Sequence, residues 1–254
     1  MLLKDTRVAQ GGLFLKETGV APGDLFLKDI DVHGSWTKFL NGEAKKLLSD
    51  IEARIDGPYT PGPDAALRFF CVDLSGVKII ALGQDPYPQP GAATGRAFEV
   101  SLTGWDQKFR QSSLRNILRS IHASYRLCEP KTLNEIRDEI ESGVFKLPPP
   151  DRIFDHWQEQ GALFINTAFT CAVNSPGSHG ALWKPFTESL IKYIAAENEN
   201  IIWFLWGGAA QRYEPLLNGA RTYKCNHPML PGSGEKGFLN CACFRDTRDI
   251  VDWI

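Results

Sequence analysis

Four short apolar runs, each stopped by a polar or glycine-rich stretch, set the limits on how this chain can fold. The first, Ile79-Ile80-Ala81-Leu82, ends at Gly83 and passes without a break into Gln84-Asp85-Pro86-Tyr87. The others are Ala162–Ala168, with Asn166 near its carboxyl end, then Asn200–Trp206, then Arg221–Asn226, which delivers His227. Runs this short and this apolar suit strands covered on both faces, as parallel strands are. Helical spacing fills the intervals, and strands alternating with helices give right-handed crossovers. The expected fold is therefore α/β, a three-layer domain with a central four-stranded parallel sheet flanked by helices. Ligands of such sheets sit outside the carboxyl ends of the strands. Three of the four strands end there in polar groups: Gln84 and Asp85, Asn166, and His227.

The helices can be placed from spacing and caps. Trp36, Phe39, Leu40, Ala44, Leu47, Leu48, Ile51 and Ile55 follow the i, i+3, i+4 pattern, with Ser35 as the expected N-cap and Gly57-Pro58 as the stop. Residues 59–64 read as a Pro/Gly loop and 65–72 as a short helical turn. Ser112-Ser113 open an amphipathic helix through Leu114, Ile117, Leu118 and Ile121, where serine is an ordinary cap and the free N–H groups also suit a phosphate. An acidic helix is expected over 132–142, stopped by Pro148–Pro150, and another over 151–160. Residues 171–185 read as a loop carrying Asn174, Ser175, Ser178 and His179, followed by a helix over 185–196. Gly207-Gly208 open a short helix to Tyr213.

The first 35 residues repeat with a period of twelve. Leu3-Lys4-Asp5, Leu15-Lys16-Glu17 and Leu27-Lys28-Asp29 recur in step, followed by Val8, Val20 and Val32. Three such units are too short for a core of their own. Residues 1–34 are expected to form an extension that docks on the domain surface through its apolar residues, and 35–254 a single catalytic domain. A tandem docking motif is the other reading of the repeat.

Bulk properties exclude several classes. No apolar stretch approaches the ~20 residues that span a bilayer. The amino terminus lacks an apolar signal core, so the expected location is cytoplasmic. The six cysteines show no paired CxxC spacing, which favours reduced thiols over a metal site. Net charge is −2, so no global positive field advertises nucleic acid. Charge is uneven, however: residues 85–128 carry six Arg/Lys against three Asp/Glu, and 132–160 carry three against seven.

Read together, these segments resemble the family 1 uracil-DNA glycosylases over about residues 34–254. Gly83-Gln84-Asp85-Pro86-Tyr87 is similar to that family's water-activating motif, and Gly95-Arg96-Ala97-Phe98 to its uracil-stacking segment. Leu163–Thr170, preceded by Trp157 and Gln160-Gly161, resembles the uracil-reading strand. Leu205-Trp206-Gly207 with Ala210-Gln211, then His227-Pro228 with Gly237-Phe238, follow in the family's order. The resemblance implies hydrolytic, monofunctional excision of uracil from single- or double-stranded DNA after base flipping, the opening step of base-excision repair. Asp85 would orient or activate water, and a neutral His227 would stabilise the leaving uracil anion. Asn166 and Phe98 would read the base beside Gln84, and Tyr87 would exclude the thymine methyl. Pro86, Ser113, Ser178, His179, Pro228, Met229 and Leu230 match the places where the family grips the DNA backbone. No metal or cofactor and no membrane is implied, and a monomer is expected.

Two departures qualify the resemblance. Pro88 stands where the family motif usually has histidine, a second partner for the water; proline offers neither donor nor side-chain acceptor. After His227-Pro228 the family commonly runs Ser-Pro-Leu-Ser, whereas this chain reads Met229-Leu230-Pro231-Gly232-Ser233-Gly234. Met229 or Leu230 can still act as an apolar wedge. The paired serines are gone, so grip on the abasic product is expected to weaken; nanomolar binding of abasic DNA in a gel shift would contradict this. The same loop is where a DNA-mimicking inhibitor protein binds relatives, so sensitivity to such an inhibitor does not follow from the resemblance. Three rival readings are a glycosylase of shifted base specificity, a non-catalytic lesion-binding or decoy protein, and a phosphate-ester hydrolase on a similar sheet. The last lacks a Walker-type loop or metal cluster in the sequence.

Overall fold

A computed structural model describes residues 9–10, 19–232 and 234–254. In chain order, β1 is Ala9–Gln10, α1 Gly42–Arg54, β2 Pro58–Thr60, α2 Pro63–Ala66 and β3 Ile79–Gly83. Helices α3 (Ser112–Arg126), α4 (Leu133–Glu141) and α5 (Ile153–Glu159) precede β4 (Ala162–Asn166) and β5 (Cys171–Ala172). Then come α6 (Gly180–Glu197), β6 (Ile202–Trp206), α7 (Gly208–Gln211), β7 (Thr222–Cys225) and α8 (Cys243–Thr247).

The central sheet runs β4-β3-β6-β7, all parallel. Every residue of β3, β4 and β6 is buried, which is why these runs are apolar throughout rather than alternating. One face, with Ile80, Leu82, Leu163, Ile165, Trp203 and Leu205, packs on α1 and α6. The opposite face, with Ala81, Phe164, Phe204 and Trp206, packs on α3, α5 and the carboxyl-terminal Phe244 and Trp253. Two cores back to back make the three layers. Register sets Gly83 beside Asn166 and Trp206 beside Cys225, so the polar strand ends lie along one edge.

A second, antiparallel sheet β1-β2-β5 lies outside the first. It corrects two expectations, since 59–64 and 171–185 each contribute a strand where a loop was expected. Tyr59 pairs with Ala172 there, and its ring packs against Phe26. The first two copies of the repeat fall almost wholly outside the described residues. In the third, Leu25 and Phe26 are buried, and Leu27, Ile30 and Val32 pack partly against the core. The buried Glu52 carboxylate holds this segment by accepting the Gly23 and Leu25 N–H groups at 2.6 and 2.9 Å.

The helix expected from Ser35 is divided. Gly34–Trp36 form a 3-10 turn, and α1 starts only at Gly42, capped by Asn41. Ser35 cannot cap because its hydroxyl accepts the Leu74 N–H at 3.0 Å, while Asn41 takes the N–H groups of Glu43 and Ala44. Likewise Ser112 and Ser113 lie inside α3 rather than capping it, with Gln111 at the cap position. Helix α6 begins before Pro185, because burying Trp183 and Phe186 outweighs the hydrogen bond that proline cannot make.

Candidate active site

The loop after β3 is fastened before it reaches Asp85. The Gly83 and Gln84 carbonyls accept the N–H groups of Thr167 and Ala168 at 3.0 and 2.9 Å, and the Thr167 hydroxyl adds a bond to the Gln84 carbonyl. The ladder between β3 and β4 thus continues past the strand ends and fixes the direction in which Asp85 leaves. Its carboxylate accepts the Gly177 N–H at 2.5 Å. Burial raises the Asp85 pKa above the ordinary carboxylate value, and the Gly177 bond opposes that rise. A cavity of about 460 Å³ opens beside Asp85, between Gln84, Gly177, Lys184, Arg212 and Tyr213.

Asn166, Phe98 and His227, none of which lines that cavity, form a drier wall. Asn166 is 3% exposed, and its amide finds no hydrogen-bond partner among the described residues. It lies so close over Gly83 that a methyl group there would collide with the amide oxygen and with Ala97. Glycine is required at 83 for that reason, not for turn flexibility. Phe98 has φ +66°, a left-handed conformation costly for an aromatic residue. Its ring centroid is 5.5 Å from Trp206 and 5.9 Å from His227. Tyr87 closes the lower side, its hydroxyl 3.5 Å from the Phe98 carbonyl.

An ionic clamp holds Phe98. The buried Arg96 donates to Glu99 at 2.9 Å, to Asp155 at 2.7 Å and to Gln158 at 3.1 Å. Glu99 is tied further to the Thr94 hydroxyl, and Arg68 donates to the Thr94 carbonyl at 3.2 Å. The segment before and after the strained residue is thus pinned to α5. Arg96 points inward because three acceptors converge on it.

His227 follows β7 and leans on Gly207, whose φ of +86° and missing side chain let the imidazole approach; a methyl there would sit 2.8 Å from the His227 Cβ. The His227 Nδ1 accepts the Met229 N–H at 3.1 Å. In the neutral ring the proton is therefore on Nε2. Burial lowers the His227 pKa and favours that neutral form. The neighbouring Pro228 carbonyl is held by Asn116 of α3 at 2.7 Å, and Asn116 in turn accepts from Arg119 at 3.0 Å.

These features set the frame for comparison with known proteins. The chain is 30% identical over 234 residues to a uracil-DNA glycosylase of Flavobacterium johnsoniae, covering 88% of this chain and 95% of the relative. The chain belongs to the uracil-DNA glycosylase family. The crystal structure of wild-type UNG from Nitratifractor salsuginis matches with a TM-score of 0.65 at 19% identity, over 89% of this chain and 95% of that one. A mimivirus UNG in complex with UGI matches at 0.59 and 24%, over 82% and 73%. At these identities the two structures bear on the fold. No family model matches the chain.

On this uracil-DNA glycosylase frame, Gln84, Asp85, Tyr87, Phe98, Asn166 and His227 gather around the carboxyl ends of the sheet. Pro86 is buried beneath them, its carbonyl 3.5 Å from the Cys171 sulfur. The Pro88 carbonyl accepts the Asn174 N–H at 2.8 Å. The expected DNA contacts divide. Met229 and Leu230 stand in solvent, and Ser178 is exposed, though its hydroxyl accepts the Ala172 N–H at 2.8 Å. Ser113 and Pro228 are buried, and His179 turns inward with Nδ1 2.9 Å from the Thr170 hydroxyl. Sequence reasoning missed Gly177, Asn116 and the Arg96 clamp. Gly177 acts through backbone and leaves no side-chain signal, while the clamp joins Arg96 and Glu99 to Asp155 of α5, a partner distant in sequence.

Proposed function

We propose that this protein excises uracil from DNA by hydrolysing the N-glycosidic bond of a flipped-out nucleotide, opening base-excision repair. The observation that carries the reading is Asn166, a buried side chain with no protein hydrogen bond among the described residues, its amide oxygen held over Gly83 at the end of β4. An amide held in place with no protein partner keeps its donor and acceptor for a ligand, here the uracil edge. The amide donates to uracil O4 and accepts from N3–H; cytosine offers the reverse pattern and is rejected by two unpaired groups. Phe98 stacks on the base, with its ring orientation prepaid by the Arg96 clamp. Tyr87 fills the space a thymine methyl would need.

As the bond lengthens, charge separates toward a sugar cation and a uracil anion. The His227 Nε2–H donates to O2 where the negative charge grows, and a neutral donor does this without forming a tight ion pair that would hold the product. Asp85, fixed by Gly177, stabilises the cation and orients water in its carboxylate form. The Pro88 ring offers the water neither donor nor side-chain acceptor. The assignment needs no metal or cofactor. It places a monomer in the cytoplasm on single- or double-stranded DNA, gripped without sequence preference through Pro86, Ser178, Met229 and Leu230, and through Ser113, His179 and Pro228 from behind. The rearranged loop from Met229 to Gly234 is expected to weaken both abasic-product binding and capture by a DNA-mimicking inhibitor such as the UGI bound to the mimivirus protein.

The test is alkali-induced strand cleavage of uracil-containing single- and double-stranded oligonucleotides, in EDTA, with a thymine control. Cleavage only at uracil, lost in Asp85→Asn and Asn166→Ala, supports the assignment. DNA binding without cleavage would replace it with a lesion-binding role.

A further inference from the structure

The Pro228–Met229 peptide group lies between α3 and the His227 ring and is held at both ends. On one side its carbonyl accepts the Asn116 side-chain N–H at 2.7 Å. On the other its N–H donates to the His227 Nδ1 at 3.1 Å. The bond is trans, so the two groups share a plane and point in opposite directions. Whatever fixes the carbonyl therefore fixes the N–H. Asn116 is buried in the second turn of α3, where asparagine is a weak helix former, and its two hydrogen bonds account for it there. Its oxygen accepts from Arg119 at 3.0 Å, and the Arg119 Nε is fastened to the Lys131 carbonyl at 2.7 Å. With a guanidinium on one side and a carbonyl on the other, only one orientation of the amide satisfies both.

The backbone alone holds that plane less firmly. The His227 carbonyl accepts the Leu230 N–H at 2.8 Å, which makes a β-turn with Pro228 and Met229 at its corners. Met229 stays out of the left-handed region, so the turn is not the type II form. Turning the Pro228–Met229 plane over produces that form and puts Met229 in a conformation that is uncommon for its type, not forbidden. The turned plane would aim the Pro228 carbonyl at His227 in place of the Met229 N–H. A carbonyl only accepts, so the neutral imidazole would have to move its proton from Nε2 to Nδ1 to meet it. The flanks of the loop are tied separately: the Phe238 N–H donates to the Pro231 carbonyl at 2.7 Å, and the Asn226 N–H to the Lys236 carbonyl at 2.8 Å. The peptide can thus turn over while the loop stays closed.

We propose that Asn116 is a positioning residue that sets the His227 tautomer through this peptide plane. The inference rests on the reading of His227 as the donor to uracil O2, for which Nε2 must carry the proton. Asn116 secures that by holding the Pro228 carbonyl toward α3 and, at the other end of the same plane, the Met229 N–H toward Nδ1. Arg119 acts one step further back, by occupying the amide oxygen so that the amide N–H faces Pro228.

The experiment reads the imidazole nitrogens of the isotope-labelled full chain by long-range proton–nitrogen correlation, beside uracil excision. The wild type should show one form, with the proton on Nε2. Asn116→Asp keeps the shape and the tie to Arg119 but sets a carboxylate oxygen against the Pro228 carbonyl. The peptide should then turn its N–H toward the carboxylate, and the His227 proton should move to Nδ1. Excision should fall by about 10²–10³-fold, as for loss of a donor to developing negative charge, with KM little changed. Asn116→Ala removes the restraint without opposing charge, and should show both tautomers in exchange with a smaller loss. In a His227→Gln background Asn116→Asp should cost nothing further, because the tautomer it controls is gone. The proposal is overturned if the wild type carries the proton on Nδ1, if either variant keeps a single Nε2–H form, or if the losses at 116 and 227 add in full. A lower melting temperature with an unchanged tautomer would make Asn116 a brace and nothing more. Should Asn116→Asp fail to fold, Asn116→Ala decides alone. The tautomer is read without DNA, so a protein that shows the shift but excises no uracil fails the functional reading and not this one.

Discussion

On the wall formed by Asn166, Phe98 and His227, side chains are buried or tied to neighbours before any ligand arrives. On the rim from Met229 to Leu230, by contrast, the side chains are 55% and 64% exposed. The wall and the Asp85 loop beside it store cost: a left-handed phenylalanine and a carboxylate raised by burial. The rim stores none. A site that must tell one base from another benefits from groups fixed in advance, because an unfixed group can adjust to the wrong base. A surface that grips any DNA backbone has no such need. Mutations should therefore act on the chemical step at the wall and on duplex handling at the rim.

The largest effect is expected at Asp85. Asp85→Asn should slow single-turnover excision by about 10²–10⁴-fold while leaving DNA binding nearly unchanged. The wild-type rate should rise with pH through the Asp85 pKa, which burial places above the usual value, and this acidic limb should vanish in the variant. Stability moves the other way. A carboxyl whose folded pKa is raised favours the fold most when protonated and loses that advantage as pH rises through the folded pKa. Asp85→Asn should therefore raise the melting temperature at neutral pH. A variant both slower and less stable would mean Asp85 is a structural brace. His227→Gln comes next, with an expected loss of about 10²–10³-fold in the chemical step and little change in substrate KM.

The Arg96 clamp tests whether the wall is truly rigid. Arg96→Leu removes a guanidinium from the buried Glu99 and the partly exposed Asp155, so stability should fall by about 3 kcal/mol. The double variant Arg96→Leu, Glu99→Ser removes most of that unpaired charge and should recover much of the melting temperature. If Phe98 needs the clamp, uracil excision stays about tenfold low in the recovered protein, since releasing a left-handed residue gives back roughly 1–3 kcal/mol. If excision recovers with stability, Phe98 is held by packing alone.

How much of this was legible beforehand follows the same division. The four strands were readable because both faces are covered, which leaves a continuous apolar run as the only workable pattern. Asn166 and His227 were readable as polar residues at the ends of those runs. Ser35 misled because a good capping residue was engaged by Leu74, a partner distant in sequence. The short strands β2 and β5 were hidden by prolines, glycines and their length. Gly177 and Asn116 were invisible because their roles depend on which loop folds over which. Arg96 was seen, but its direction was not: nothing local says that Asp155 and Gln158 will arrive beside it.

The smallest effect, and the sharpest test of the contrast, is at the rim. Leu230→Ala trims a side chain that is mostly exposed, so stability should hold within about 0.5 kcal/mol. On single-stranded DNA no stacked partner strand has to be wedged apart, and excision should be unchanged. On duplex DNA the apolar wedge offsets part of an unstacking cost of a few kcal/mol, so the variant should lose about tenfold or less in kcat/KM. Met229→Ala provides the matching measurement, and whichever variant shows the duplex-only loss identifies the wedge in the rearranged loop. Equal losses on both substrates would mean the rim shapes the base-reading wall through the Met229 N–H on His227. The two regions would then be one unit, because a change on the exposed side would move the His227 imidazole.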